Sequence, residues 1–396
     1  MFRTTHTLPS LTADEQAHSE LLQTAIGNEL ECSQNWIGFD RYMELALYAP
    51  GLGYYSAGAH KFGVGGDFIT APEISPLFSH CVANQCAEVL RSLAGANILE
   101  LGAGSGVMAA EVLLQLESLE QLPDRYYILE VSAELQQRQR LFLASKVPHL
   151  FSRVEWLSVL PTGFCGIIVA NEVLDALPVK RFCAVRGTIY ELGVSIADQQ
   201  FCWQSHMMNE QTRIAVEQII ADTGHGFADS YCSEVNMLLS GWVHSLSEAT
   251  RRGVMLFIDY GLPRKQYYGE ARAQGTLNCF FKHQQHDNPF INVGIQDITA
   301  WVDFTALAQA GANAELELCG FATQANFLIG TGIESLLHAA MNRSDMTDTQ
   351  RWKLSQQVQQ LMLPDAMGET FKVMAFHKEC DIDLSGFSVR DLRHLL

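Results

Sequence analysis

The stretch that most constrains the fold is NILELGAGSG, residues 97–106, an apolar run that passes directly into three glycines. Glycine tolerates positive φ and lets a backbone approach a ligand closely. The stretch therefore predicts a strand, a ligand-contacting loop and a helix in succession. The helix is expected in VMAAEVLLQLESL, then a strand in YYILEV, a helix in AELQQRQRLFLASK, a short strand in RVEWL and a strand within GFCGIIVANEV. The last is a continuous apolar run, as expected where both faces of a strand are covered. Alternation of this kind predicts an α/β chain whose parallel sheet is wrapped by helices.

The alternation then stops. Residues 181–205, RFCAVRGTIYELGVSIADQQFCWQS, have period two with turn residues between, and predict an antiparallel insertion. GVMLFIDYG supplies a further strand, and residues 265–295 read as irregular. QDITAWVDFTALAQAG reads as a helix with an Asp cap, and AELELCGF and ETFKVMAFHK as the last strands. Ahead of the sheet, TADEQAHSELLQTAIGNELE predicts a helix capped by Thr or Asp, and FDRYMELALYA a second ending at Pro50. Between them and a helix expected over 76–93 lies a long glycine-rich loop, PGLGYYSAGAHKFGVGGDFITAPEISPLF. Loops of this length inside compact domains are usually functional.

The glycines at 102, 104 and 106 spell G-x-G-x-G. In the dinucleotide fingerprint G-x-G-x-x-G the third glycine would fall on Val107, and the Lys-Ser/Thr ending of a P-loop is missing. Glu100 stands two residues before the first glycine, where it repels a pyrophosphate but suits an ammonium group or hydroxyls. Glu130, at the end of YYILEV, is placed to accept hydrogen bonds from both hydroxyls of a ribose. An adenosine with a charged amino-acid tail and no phosphate fits all three, which is S-adenosylmethionine (SAM). The rival is an NAD(P)-dependent oxidoreductase, which would have to seat its pyrophosphate beside Glu100. The bland alternatives are a structural turn and a solvated strand-end acid.

Asn171, Glu172 and Asp175 follow the buried run of GFCGIIVANEV directly. Ligands of open α/β sheets bind at the carboxyl ends of the strands, so these groups are expected to face the cofactor. Methyl transfer is in-line displacement at a sulfonium, and the enzyme's part is alignment and proton removal. Glu172 and Asp175 are candidates to orient the nucleophile; capping the next helix is the alternative. FIDYG puts Asp259 and Tyr260 at another strand tip. His283 and His286 form H-x-x-H beside Asp287, but no third ligand stands at a recognisable spacing, so no metal is expected. His286 is expected to line the acceptor pocket, against a surface-loop histidine. Asp303 is either a partner for a basic substrate or part of a solvated helix face.

The formal net charge is −18 over 396 residues, which argues against a protein that grips nucleic-acid phosphates. Ten cysteines without a CxxC pair read as reduced thiols rather than a zinc site. The N-terminus has no apolar signal region, and no apolar run reaches the roughly 18 residues of a membrane span. A cytoplasmic protein is expected, monomer or homodimer, with neither membrane nor nucleic acid as partner.

Five stretches carry a resemblance: GGDFITAPEISPLF, LELGAGSG, ANEVLDALPVKRF, FIDYG and VDFTALAQAG. Spread over nearly the whole chain, they resemble the MidA family. The resemblance implies a class I methyltransferase (Rossmann-like) fold, with a seven-stranded, mostly parallel sheet. It implies an N-terminal helical cap and glycine-rich loop over residues 1–75 and a methyltransferase domain over 76–396, with insertions at about 181–240 and 262–296. The family includes a mitochondrial complex I assembly factor that methylates arginine. The implied reaction is therefore methyl transfer from SAM to a protein arginine, with a protein substrate such as a respiratory-complex subunit. A methyltransferase-like assembly or binding factor with little turnover is the alternative. In this reading Glu100, Gly102, Gly104, Gly106, Glu130, Asn171 and Asp67 hold the cofactor. Glu172 and Asp175 are catalytic, and Tyr260 and His286 contact the substrate. Gly63, Gly65 and Gly66 would be hinges of a lid over the site. The chain departs from the family at Ala103, where proline is frequent, at some cost in loop rigidity.

Overall fold

The computed structural model describes residues 8–56 and 70–396. Asp67 and the glycines at 63, 65 and 66 lie outside the described residues. The chain forms two compact units.

One unit is built from Thr70–Asp175, Leu239–Arg264 and Val302–Leu396. Its central strands, numbered in chain order, are β1 (Asn97–Leu101), β2 (Tyr126–Leu129), β3 (Val154–Leu157), β4 (Phe164–Asn171), β5 (Thr250–Leu262), β6 (Glu317–Thr323) and β7 (Phe371–Lys378). Their order across the sheet is β6-β7-β5-β4-β1-β2-β3. The run from β5 to β3 is parallel, while β7 is antiparallel to both β5 and β6. Order reverses between β1 and β4, and a reversal of this kind opens a crevice at the carboxyl ends of the strands. The apolar run of β4 sits at the middle: Ile167, Ile168, Val169 and Ala170 are all buried.

Helices frame the sheet, each with a local reason to begin where it does. Pro76–Ser92 starts with proline at its first position and Ser75 as cap. Ala133–Lys146 is capped by Ser132, which accepts from the Leu135 amide. Phe304–Asn313 is capped by Asp303, which accepts from the Thr305 and Ala306 amides. Here the structure shortens the expected helix. Val302–Asp303 is instead a two-residue strand alongside β5, giving the sheet an eighth member. β-branched residues at 298, 299 and 302 hold the chain extended until the Asp cap turns it.

The other unit is built from Met1–Ile69, Ala176–Leu238 and Lys265–Trp301. Its helix Ala13–Cys32 opens on a capping box between Thr12 and Glu15, and Phe39–Tyr48 follows. The expected antiparallel insertion is Lys180–Val185, Thr188–Ala197 and Gln200–Met207, extended by Cys232–Val235 and Ile37–Gly38 into a five-stranded sheet. Cys183 and Cys232 face each other on adjacent strands of this sheet and form a disulfide. The expectation of reduced thiols throughout is corrected there. The two cysteines are 49 residues apart, and only the strand register brings them together.

Residues 265–295, expected to be irregular, contain two strands of a three-stranded sheet: Asn278–Phe281 lies between Gln284–His286 and Asp297–Thr299. Lys282 and His283 make the tight turn with φ of 47° and 62°. Two positive φ values match the twist of a hairpin. The usual Asn-Gly signature is absent, so the sequence gives no warning of it.

Candidate cofactor and acceptor site

β1 ends at Leu101, and the loop that follows is held at the tip of β2 by the Gly102 amide donating to Leu129 O at 3.1 Å. Gly102, Gly104 and Gly106 have φ of 64°, 52° and 84°. Any other L-residue would cost roughly 1–2 kcal/mol in this region, which is why the loop is written in glycine. Gly106 is also the left-handed cap from which helix Val107–Ser118 starts. A Cβ at Gly104 would meet nothing within 4 Å, so open space lies in front of the loop at that point. A Cβ at Gly102 would lie 3.3 Å from Val173 Cγ2, which places the loop against the turn that follows β4.

Glu130 follows β2 and is nearly buried. Its Oε1 accepts from the Ser132 amide at 3.0 Å and its Oε2 from Gln139 Nε2 at 3.2 Å. Burial raises its pKa, and these bonds pull it back. Glu100 is 1 % exposed and accepts from the Tyr126 hydroxyl at 2.7 Å. Burial pushes its carboxyl up to about 7, with the Tyr126 bond opposing and the charge of Glu130 adding. Glu100 therefore sits behind the loop, holding the end of β1 to β2.

The second group of residues gathers at the tips of β4 and β5. Glu172 takes φ 53°, a left-handed conformation that is uncommon for a residue with a side chain. Its amide still donates to Ile258 O at 2.9 Å, so the strain is imposed at the last rung of the sheet. The Glu172 Oε1 atom accepts from the Ala71 amide and from Asn171 Nδ2, both at 3.2 Å. Among the described residues, its Oε2 and the Oδ1 of Asn171 are buried without a hydrogen-bond partner. Buried polar atoms left unpaired are costly.

Asp259 straps this turn. Its Oδ2 accepts from the Leu174 amide at 2.9 Å and the Asp175 amide at 3.2 Å, and its Oδ1 from the Tyr260 amide. The Tyr260 hydroxyl donates to Asp175 Oδ2 in a short bond. Tyr260 is 5 % exposed. Burial, then the charge of Asp175, pushes Glu172 up to about 8. Asp259 stands well above the ordinary range for the same reasons, with Glu172 adding to them. Three carboxyl groups in one buried turn repel each other, and a cation would relieve them.

Among the predicted residues, Glu100, Gly102, Gly104, Gly106, Glu130, Asn171, Glu172, Asp175 and Tyr260 all fall in this one unit. His286 falls in the other, on the outer strand of the three-stranded sheet, where burial lowers its pKa. His283 is a turn residue of that hairpin. Asp303 is neither solvated nor waiting for a substrate: its side chain is 9 % exposed, caps its helix and pairs with Arg264 at 2.9 Å. Tyr126, Gln139 and Trp156 were missed. Gln139 stands mid-helix in a polar stretch, and only the three-dimensional register turns it inward.

The loop has the features that SAM requires. It offers glycine backbone facing open space, a held carboxylate at the end of the neighbouring strand, and no Lys or Arg within residues 97–106 to attract a phosphate. Comparison with known proteins agrees. The model of a family of S-adenosyl-L-methionine-dependent methyltransferases matches residues 81–322. A protein from Burkholderia thailandensis, crystallised with S-adenosyl-homocysteine, is 39% identical, with a TM-score of 0.93 over 98% of this chain and 100% of that one. The chain is also similar to the mitochondrial protein arginine methyltransferase NDUFAF7 of Danio rerio, at 27% identity over 85% of this chain and 82% of that protein. The human protein of the same name is 28% identical over 84% and 78%. These relatives are named mitochondrial, which overturns the cytoplasmic expectation. That expectation rested on the missing apolar signal region, and mitochondrial transit peptides have none. Among the described residues no helix is long and apolar enough to cross a membrane. With the family model spanning more than half its length, the chain belongs to the S-adenosyl-L-methionine-dependent methyltransferases.

Proposed function

We propose that this methyltransferase acts on the guanidinium of a protein arginine, and that the acceptor enters beside Asn171, Glu172 and Asp175. The observation that carries the reading is the pair of buried polar atoms that have no hydrogen-bond partner among the described residues, Asn171 Oδ1 and Glu172 Oε2, both of which accept once Glu172 is ionised. A guanidinium presents five N–H donors in a rigid plane and matches adjacent acceptors two at a time. Its charge also offsets the crowding of Glu172, Asp175 and Asp259. The relatives named as protein arginine methyltransferases support the same acceptor, and the net charge of −18 suits a basic segment. A respiratory-complex subunit is the class of protein to try first.

SAM, when bound, supplies a methyl group on a sulfonium whose departure needs no further activation. The work of the chain is alignment and proton handling. A free guanidinium has a pKa above about 12 and is a poor nucleophile until it loses a proton. Glu172, with its pKa near 8, is a base matched to neutral pH once a cation displaces its own proton. Asp259 keeps the 172–175 turn in place through two backbone amides. Glu130 and Gly102, Gly104 and Gly106 seat the cofactor, with Glu100 behind them.

The test is methyl transfer from radiolabelled SAM into proteins of a cell extract, followed by mass spectrometry of the labelled residue. Label on arginine that disappears in the Glu172→Gln, Asp175→Asn double variant supports the assignment. Full labelling by that variant, or label on another residue type, would overturn it.

A further inference from the structure

Gln139 is fully buried, and its side-chain amide is saturated. Nε2 donates to Gly104 O at 3.0 Å and to Glu130 Oε2 at 3.2 Å, and Oε1 accepts from Trp156 Nε1 at 2.9 Å. The indole N–H can only donate, so the amide orientation is fixed: oxygen faces Trp156 and nitrogen faces the loop and the acid. One side chain therefore joins the carbonyl of the middle glycine, the ribose acid and β3. Arg140 stacks on the other side of the lock, its guanidinium 4.0 Å from the Trp156 ring centre.

We propose that Gln139, oriented by Trp156, is a positioning residue for SAM. It fixes the distance between the glycine loop and Glu130, and keeps Glu130 ready to accept from the ribose. The inference rests on the reading of this loop as the cofactor site. The physical reason is that Glu130 and the loop belong to different strand ends, and among the described residues no other side-chain bond joins them. A carboxylate whose second oxygen lost its donor would turn, take up a proton more readily, and offer the ribose one acceptor fewer. The charged and titratable groups on the elements packed around Glu130 are Glu100 on β1, Tyr126 and Tyr127 on β2, Glu155 on β3, and Glu134, Arg138, Arg140 and Lys146 on its own following helix. Residues 102–106 contribute none.

The experiment is calorimetric titration of the full chain with S-adenosylhomocysteine between pH 6 and 8.5, with melting curves to confirm folding. Gln139→Met keeps the volume and removes every bond of the lock; Gln139→Glu keeps the shape and removes the donors. Wild-type affinity should vary little over this range. Both variants should bind at least about tenfold more weakly, the equivalent of one lost charge-assisted hydrogen bond. The Gln139→Met deficit should widen as the pH falls, because Glu130 without its donor takes up a proton more readily. Trp156→Phe, which frees the amide to flip, should show a smaller deficit of the same form. Wild-type affinity in folded variants would overturn the proposal, as would a deficit equal at every pH, the mark of a merely structural residue. A wild-type chain that binds no S-adenosylhomocysteine would overturn the cofactor reading, and this inference with it.

Discussion

A carboxyl group that is uncomfortable in the free protein should reveal itself when its charge is removed. Glu172 is such a group, with a folded pKa near 8 against an ordinary 4.5. Between these values the unfolded chain loses its proton while the folded chain keeps it. The native state then binds more protons, so stability falls as pH rises from about 4.5 and levels off above about 8. A span of about 3.5 pH units at about 1.4 kcal/mol each amounts to about 5 kcal/mol. Asp175 and Asp259 share the repulsion, so one substitution should recover about 2–3 kcal/mol of it. Glu172→Gln keeps the oxygen that accepts from Ala71 and Asn171 and replaces the unpartnered Oε2 with a neutral group. The assay is thermal unfolding of both proteins from pH 5 to 9. The variant should melt with the wild type near pH 5 and a few degrees above it at pH 8.5, while losing methyl transfer. A variant equally or less stable at every pH would refute the argument that this carboxyl is strained by burial and like charge.

Other outcomes follow from the same geometry. Glu130→Ala should weaken S-adenosylhomocysteine binding about 100-fold by calorimetry, through two lost hydroxyl bonds to a charged acceptor. Gly104→Leu should melt within a few degrees of the wild type, since its φ of 52° costs only about 1–2 kcal/mol. Its side chain would fill the space before the loop, however, and titration should detect no S-adenosylhomocysteine binding. Asp303→Ala removes a helix cap and the carboxylate that pairs with buried Arg264. Chemical denaturation should show a loss of about 3–5 kcal/mol, with cofactor affinity of the folded fraction unchanged.

What could be read from the sequence was local. NILELGAGSG predicted strand, loop and helix because φ tolerance and hydrophobic period act over a few residues, and the same holds for the Thr12 cap and the period-two run after Lys180. The parallel core was legible in β4, whose unbroken apolar run allows few other surroundings. Carboxylates at strand ends could be named as candidates because strand ends are where ligands bind in such sheets.

Contacts between residues far apart in the chain could not be read. The strap from Asp259 to the amides of Leu174 and Asp175 spans 84 and 85 residues, and neither end announces it. The left-handed φ of Glu172, the inward turn of Gln139 and the pairing of Cys183 with Cys232 each depend on register set elsewhere. So does the unit assembled from three separated segments, since hydrophobic period records that a face is buried and not what buries it. The sequence by itself determined the alternation of strands and helices as far as β4 and the glycine loop after β1, through local backbone preferences. Tertiary structure alone decided which carboxylates meet and which of their oxygens are left without a donor, because burial and like-charge repulsion arise only when distant segments pack together.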